Sequence, residues 1–427
     1  MAEPSTFLAL RERNGKLFFG GLLVSNVGTW AQATATGLLV ARLEPVHKGE
    51  ALGIALMLQF LPMLVLGAWA GAFADQRNRR RLTIITQTAL TLQALALTVL
   101  DFTGHATLPT VYALSLLLGV ASAIDNPARR GIVLELVDPE HITNAMSLNT
   151  AVMTGSRIFG PALAAWLAHT HGTGWCFLVN TVSFLAVIGA LVAMDPAELR
   201  VTPTAPRGGT PVRDGLRYVW GDRRVRIVFL VMTVVSTFAF NYSVSFKLLA
   251  DGRFHQEAAY GILLAVTGFG SLLGSLFLAR KAEASMAIYL ASVVLQSAGS
   301  LGLAWAPNLA VAYVLAVPMG FGGALFISAA NSLVQQGAPP TMRSRLLALT
   351  GVAFLGSTPI GSPITGWIGD HIGAEWSLAY GALCSLVCVA VAVVVLRLRP
   401  APYVRGVAPV VPVQPDESVV GPVVERG

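Results

Sequence analysis

Residues 67–82 of the 427-residue chain read GAWAGAFADQRNRRRL. A single carboxylate, Asp75, is followed at once by Arg77, Arg79, Arg80 and Arg81. These residue types suit ion pairing and helix-end docking, because a carboxylate is attracted to the partial positive charge of a helix N-terminus. Gly67 and Gly71 precede them as a G-x-x-x-G pair, which lets two helices approach closely. A second string lies at 125–161. It runs Asp125-Asn126-Pro127-Ala128-Arg129-Arg130, then Glu135-Leu136-Val137, then Arg157 and Gly160-Pro161. Asp75 and Asp125 are the candidate proton-carrying carboxylates. Pro161 lacks a backbone N–H and kinks a helix, and Gly160 leaves room for a neighbour at the kink. The three cysteines, Cys176, Cys384 and Cys388, lie in apolar runs and read as small hydrophobes.

The elements that carry these residues follow from composition. Hydrophobic residues make up 54% of the chain and charged ones 12%, about half the usual share of a soluble protein. Mean hydropathy is +0.66. That excludes an ordinary soluble enzyme, a disordered chain and a disulfide framework. A membrane-crossing helix needs roughly 20 apolar residues, and the apolar runs predict twelve such helices: 17–43, 51–74, 82–100, 107–124, 145–168, 175–193, 225–249, 258–278, 287–305, 309–333, 346–368 and 376–396. The first run is too long for a signal-peptide core and is expected to stay as a span. The longest polar interruption, 195–224, divides the spans six and six. The expected organisation is a six-helix bundle at 1–194, a cytoplasmic linker at 195–224, a second bundle at 225–399 and a disordered cytoplasmic tail at 400–427.

Charge and repetition support that division. Of the 29 lysines and arginines, 24 fall on the side of the N-terminus, and four (Arg42, Lys48, Lys247 and Arg253) fall on the other. Positive residues collect in cytoplasmic loops, so both termini are expected inside, and the net charge of +7 needs no nucleic-acid partner. The two halves coincide when shifted by 201 residues: Gly119 with Gly320, Pro139 with Pro340, Gly155-Ser156 with Gly356-Ser357, Gly160 with Gly361, Trp166 with Trp367. Parallel six-helix repeats related by an axis along the membrane normal are one of the known transporter plans.

The stretch at 67–82 resembles the loop 2–3 motif of the major facilitator superfamily, G-x-x-x-D-R-x-G-R-R/K. Gly71, Asp75, Arg79 and Arg80 match, while Gln76 and Asn78 replace the usual Arg and Gly. Asn78 is expected to support a left-handed turn, with Arg77 standing in for the missing arginine. GSRIFGPALAA at 155–165 resembles the antiporter motif of superfamily exporters, with Gly160-Pro161 intact and Ser156 and Ala164 in place of glycines. The string 125–161 resembles the drug/proton antiporter branch that includes enterobactin-type siderophore exporters. The arginine that many drug antiporters carry in helix 4 is Ser115 here. The resemblance implies an all-α polytopic fold of two pseudo-symmetric six-helix bundles. Asp75 lies on the same side as the start of helix 11 near Leu346, and its carboxylate is expected to face that helix N-terminus and lock the two halves together when the inner side is closed.

Arg157 is the one charge near the middle of a span, and a charge there is costly in lipid. Asp75, Asp101 and Asp125 all sit near span ends, so Arg157 either pairs with carbonyls freed by Pro161 or meets an anionic substrate group. Polar and aromatic residues inside the spans are candidate pathway residues: Asn26, Trp30, Gln59, Asn149, Asn241, Tyr242 and Asn331. The resemblance places helices 1, 4, 7 and 10 around the cavity, which favours Asn26, Trp30, Asn241 and Tyr242. Six histidines (His47, His105, His169, His171, His255 and His371) fall at the outer face, scattered over several loops as interfacial residues. No G-x-S-x-G, H-E-x-x-H or P-loop pattern occurs. The function expected is proton-coupled export of small, mostly apolar organic molecules such as a drug, natural product or siderophore, with import or facilitated diffusion on the same fold as the alternative. Expected partners are the substrate, protons and membrane lipid, for a monomer in a bacterial inner membrane. No nucleic acid, cofactor, metal or enzymatic activity is expected.

Overall fold

The structure is a computed structural model that describes residues 8–200, 211–281, 284–339 and 342–398. Residues 201–210 of the expected linker and the expected tail at 400–427 lie outside the described residues. Among the described residues all regular structure is helical. The first half holds α1 (Arg13–Leu43), α2 (Lys48–Asp75), α3 (Arg79–Phe102), α4 (Leu108–Glu135), α5 (Ile142–Thr170) and α6 (Thr173–Ala193). A short helix, α7 (Pro211–Gly221), lies within the polar stretch 195–224. The second half holds α8 (Arg223–Ala239), α9 (Tyr242–Gly252), α10 (Ala258–Ala279), α11 (Met286–Ala304), α12 (Leu309–Gly337), α13 (Arg343–Leu355), α14 (Thr358–His371) and α15 (Ala374–Leu398).

Nine segments among the described residues are long and apolar enough to cross a membrane, counting 223–252 as one. The expected spans 17–43, 145–168 and 346–368 are not among them, for physical reasons. α1 is 31 residues long but carries Ser25, Asn26, Gln32 and Thr34 on buried faces. α5 carries Arg157 and several hydroxyls. The third is broken at Gly356-Ser357 into helices of 13 and 14 residues. The expected span 225–249 is likewise broken, at Phe240-Asn241.

Several boundaries are set by side-chain caps that satisfy the free N–H groups of a first turn. Asn78 accepts from the Arg81 N–H, Asp222 from Val225, Ser285 from Ile288 and Asn308 from Val311. Asn78 has φ −64°. The expected left-handed turn is therefore replaced by an extended N-cap, which uses the asparagine carbonyl rather than its tolerance of positive φ.

Large apolar side chains point outward along the helices, with Trp69 80% and Val314 70% exposed. In water such a surface would be a liability. On a multi-pass membrane protein it is the lipid face.

The interior holds polar groups, and a chain of amides among them is paired. Asn180 Nδ2 donates to Gln32 Oε1 at 2.8 Å, Gln32 Nε2 to Gln93 Oε1 at 3.0 Å, and Gln93 Nε2 to the Leu114 carbonyl at 3.3 Å. This chain ties α1, α3, α4 and α6 into one bundle.

The apolar cores distinguish the two ends of the molecule. At the end carrying the Arg77–Arg81 cluster, the core of Phe18, Phe19, Ile132, Leu136 and Leu191 is built from the first half alone. The core of Val228, Met232, Phe326 and Val334 is built from the second half alone. At the far end the halves fuse. Val244 and Leu248 of α9 join the core of Ala35, Leu39 and Leu52, and Leu38 of α1 joins that of Phe246, Leu249 and Tyr260. Gly49 and Gly366 permit the closest approach there, since a Cβ on Gly49 would sit 2.5 Å from the Gly366 carbonyl oxygen.

Gln32→Leu would leave the Asn180 amide and the Gln93 carbonyl without partners in a buried site. A loss of about 1–2 kcal/mol is expected, read as a lower melting temperature of the purified protein with no change in helix content.

Candidate functional site

The arginine-rich loop fastens the first bundle to itself. Arg79 Nη1 pairs with Glu135 Oε1 of α4 at 2.9 Å, and its aliphatic stem lies against Gly131, where a side chain would collide with it. Arg80 donates to the carbonyls of Leu191 and Val192 at 2.6 and 3.0 Å, meeting the negative end of α6. Arg77 lies over the Phe73 ring at 5.3 Å. Asp75 is the last residue of α2, and its side chain lies outside the described residues. Arg79 and Arg80 thus grip α4 and α6.

Asp125 departs from the sequence expectation. The predicted span ended at 124, which put this carboxylate near a surface. α4 instead runs on to Glu135, and Asp125 is 1% exposed. It accepts from Thr86 Oγ1 at 2.7 Å and Gln87 Nε2 at 3.0 Å, and Arg129 Nε lies 3.1 Å away, one turn along the same helix. A carboxylate buried in this way depends on its cation and donors. Polar residues spaced along α3 (Thr83, Thr86, Gln87, Thr91) were the available sequence signal that its inner face would accept a charge.

Arg157 sits in the middle of α5, which continues as a helix through Pro161. Gly160 lets α1 come close, because a Cβ there would collide with Trp30. That contact sets the indole under the guanidinium, with Arg157 Cζ 5.2 Å from the ring centroid. Across the interface, Gly268 of α10 packs on the Arg157 carbonyl. The side chain is partly exposed, and among the described residues it has neither a hydrogen bond nor a carboxylate partner. Of the two expectations for Arg157, pairing with carbonyls at the kink is not observed; the guanidinium rests on Trp30 with its donors unused.

The expected pathway residues separate into two groups. Trp30, Gln59, Asn149, Tyr242 and Asn331 are partly exposed, whereas Asn26 and Asn241 are buried. Asn241 holds the break between α8 and α9: Nδ2 donates to the Thr237 carbonyl at 2.7 Å and Oδ1 accepts from Ser362 at 2.9 Å. Both ends of the amide are thus engaged within the second bundle. Asn331 accepts from Thr350 at 2.9 Å. Tyr242 stacks on Phe246 with centroids 5.6 Å apart, and its hydroxyl accepts from Gln296 at 2.8 Å. Asn26 Nδ2 has no acceptor among the described residues. Asn26 lies one helical turn before Trp30, the residue under Arg157.

A set of charges joins the two halves at the far end. Lys48 Nζ meets Asp251 Oδ2 at 2.7 Å across 203 residues of sequence. Lys247, 3% exposed, pairs with the other oxygen of Asp251 at 2.7 Å. Asp370 of α14 accepts the N–H groups of Gly49 and Glu50 at 2.9 and 2.8 Å, capping α2 from the opposite half. Beside these groups a hollow of about 350 Å³ is lined by Arg42, Lys48, Lys247, Asp251 and Glu257.

Comparison with known proteins follows this geometry. A family model described as transmembrane secretion effector matches residues 4–411. The chain is 27% identical over 372 residues to the multidrug efflux pump Tap of Mycolicibacterium fortuitum, covering 83% of this chain and 89% of that protein. It is 26% identical over 270 residues to the staphyloferrin A transporter of Staphylococcus aureus, covering 62% of this chain and 66% of that one. It is 22% identical over 362 residues to macrolide efflux protein A of Streptococcus pyogenes, covering 82% and 87%. Among solved structures, an inward-facing, unoccupied bacterial homologue of the human lysosomal transporter Spinster shares the fold with a TM-score of 0.65 at 15% identity, covering 92% of this chain and 96% of that one. The nucleoside transporter NupG does so with a TM-score of 0.69 at 13% identity, covering 90% and 99%.

Asp370→Ala removes two charge-assisted hydrogen bonds from the start of α2, each of a type worth about 1.5–3 kcal/mol. The closed far end should lose population at least tenfold. Spin labels on the exposed positions Val46 and Ile372, introduced as Val46→Cys and Ile372→Cys in a cysteine-depleted background, should report a longer and broader distance distribution.

Proposed function

The chain belongs to the transmembrane secretion effector family of major facilitator transporters, and on that premise we propose that it is a proton-coupled exporter of small, mostly apolar organic molecules. The transported class is a drug, natural product or siderophore, and the relatives are efflux pumps and a siderophore transporter. In this reading twelve spans form two bundles, with α8–α9 and α13–α14 each serving as one broken span. Both termini face the cytoplasm of a bacterial inner membrane, as the lysine and arginine asymmetry implies. The far end then faces outside, and the structure corresponds to the inward-open state of an alternating-access cycle.

The observation that carries this reading is the division of the core. The halves share two apolar cores at the far end and keep separate cores at the arginine-rich end. Two bundles joined at one end can rock about that contact. The loop at 75–81 closes the opposite state: Asp75 meets the start of α13 when the inner side shuts. Arg79 and Arg80 keep that loop anchored to α4 and α6.

Asp125 carries the proton. A proton on Asp125 cancels its attraction to Arg129 and frees the contacts to Thr86 and Gln87, which lets α4 shift against α3. Arg157, Trp30 and Asn26 form the substrate-facing surface of the first bundle, with Tyr242 opposite in the second. In this reading the guanidinium offers its unused donors to the substrate.

The test is accumulation of a panel of dyes, antibiotics and siderophores in cells lacking their own exporters. The chain should lower accumulation of at least one class, and a protonophore should abolish the effect. Asp125→Asn and Asp75→Asn should reach the membrane at normal levels and export at least tenfold more slowly. Wild-type rates in Asp125→Asn would remove it as the proton carrier. Arg157→Ala should raise the apparent KM of an exported compound about tenfold or more, with Arg157→Lys intermediate. An unchanged KM in Arg157→Ala would place the residue outside the pathway.

A further inference from the structure

Sequence reading treats His47 and His371 as two unrelated interfacial histidines, 324 positions apart by their numbers. The fold brings them face to face. His47 immediately precedes α2, Glu50 lies in its first turn, and His371 ends α14 of the other half. One ring nitrogen of each histidine and one Glu50 carboxylate oxygen lie within 4.8 Å of one another. The two imidazoles stack at a 20° interplanar angle with centroids 5.9 Å apart. His371 is steadied from behind by Trp367, stacked at 4.9 Å. Its Nδ1 lies 3.1 Å from the Trp367 carbonyl oxygen and 3.5 Å from Glu50 Oε1.

The carboxylate that closes the far end also assembles this cluster. Asp370, next to His371 in sequence, grips the N–H groups of Gly49 and Glu50. It therefore sets α2's first turn against the end of α14. It also offsets the positive end of the α2 dipole, which would otherwise repel a cation. Lys48, the adjacent cation, is drawn away to Asp251. Two imidazoles and one carboxylate suit Zn²⁺, Co²⁺ or Ni²⁺. Bonds of about 2.0–2.2 Å place tetrahedral ligand atoms roughly 3.4 Å apart. The three side chains are exposed or partly exposed, so closing the remaining gap needs only side-chain rotation.

We propose that His47, Glu50 and His371 form a divalent transition-metal site, completed by water, and that the bound ion clamps the two halves together at the far end. Coordination takes an unprotonated imidazole nitrogen from each histidine, and any proton displaced on binding leaves to solvent. The ligands come from both halves, so the complete site exists only while the far end is closed. Binding must then favour that state by mass action, about a hundredfold when the ion is a hundredfold above its Kd. The clamp on turnover rests on the transport reading above, whereas the metal site itself does not.

The experiment uses the full chain in nanodiscs with any purification tag removed. Co²⁺ is followed by its visible absorption and Zn²⁺ by competition against it. One ion per chain should bind, and His47→Ala and His371→Ala should each weaken binding at least tenfold. His169→Ala with His171→Ala should leave it unchanged. Zn²⁺ should narrow and shorten the distance between labels at 46 and 372 in the wild-type background and not in His371→Ala. No saturable binding, or binding that survives loss of both His47 and His371, would overturn the site. Binding without a change in label distance would overturn the clamp. If Zn²⁺ binds as described while no substrate is exported, the transport reading fails and the metal site stands.

Discussion

The carboxylate of Asp370 accepts the amide N–H groups of Gly49 and Glu50 in the first turn of α2, a helix that belongs to the other half of the molecule. A helix N-terminus carries unsatisfied donors and a partial positive charge. An acceptor from across an interface is therefore both a cap and a tether. Lys48, one residue earlier, reaches a second carboxylate of the opposite half, Asp251. These contacts hold Gly49 against Gly366, and that close approach lets Leu38, Val244 and Leu248 pack into shared cores. The far end is thus closed by few, specific and breakable polar contacts laid over small residues. Such an interface is suited to opening and reforming.

The rest of the polar chemistry is arranged by the apolar exterior. Lipid offers no partner to a buried amide or charge, so each must find one inside. Gln32, Gln93 and Asn180 satisfy one another, Asp125 is held by Thr86, Gln87 and Arg129, and Asn241 bridges the break in its own bundle. Against that background Arg157 stands out. Its guanidinium rests on an indole face and leaves its donors free.

Much of the architecture was legible in the sequence because lipid imposes a one-dimensional code. Apolar runs must be about 20 residues long, and basic residues gather on one side. The Gly160-Pro161 pair, the Asp75 motif and the 201-residue repeat could all be read in order along the chain. Errors arose where a helix departed from that code. The polar end of α4 continued past residue 124 because Asp125 and Arg129 pair within it. The runs 225–249 and 346–368 broke where Asn241 and Ser357 interrupt them. The Asn78 turn was misread because an asparagine that caps a helix and one that takes a left-handed φ look alike in sequence.

Length and apolarity by themselves determined that the chain is a polytopic helical membrane protein. They also singled out Arg157 as an anomaly. Tertiary structure alone decided which partners the polar residues meet, such as Ser362 for Asn241 and Thr350 for Asn331, and set Trp30 under Arg157. It alone brought Lys48 to Asp251 and His47 to His371. The physical reason is range. Burial and helix periodicity are local and repeat along the chain, whereas an ion pair or a ligand cluster joins positions hundreds of residues apart and leaves no periodic trace.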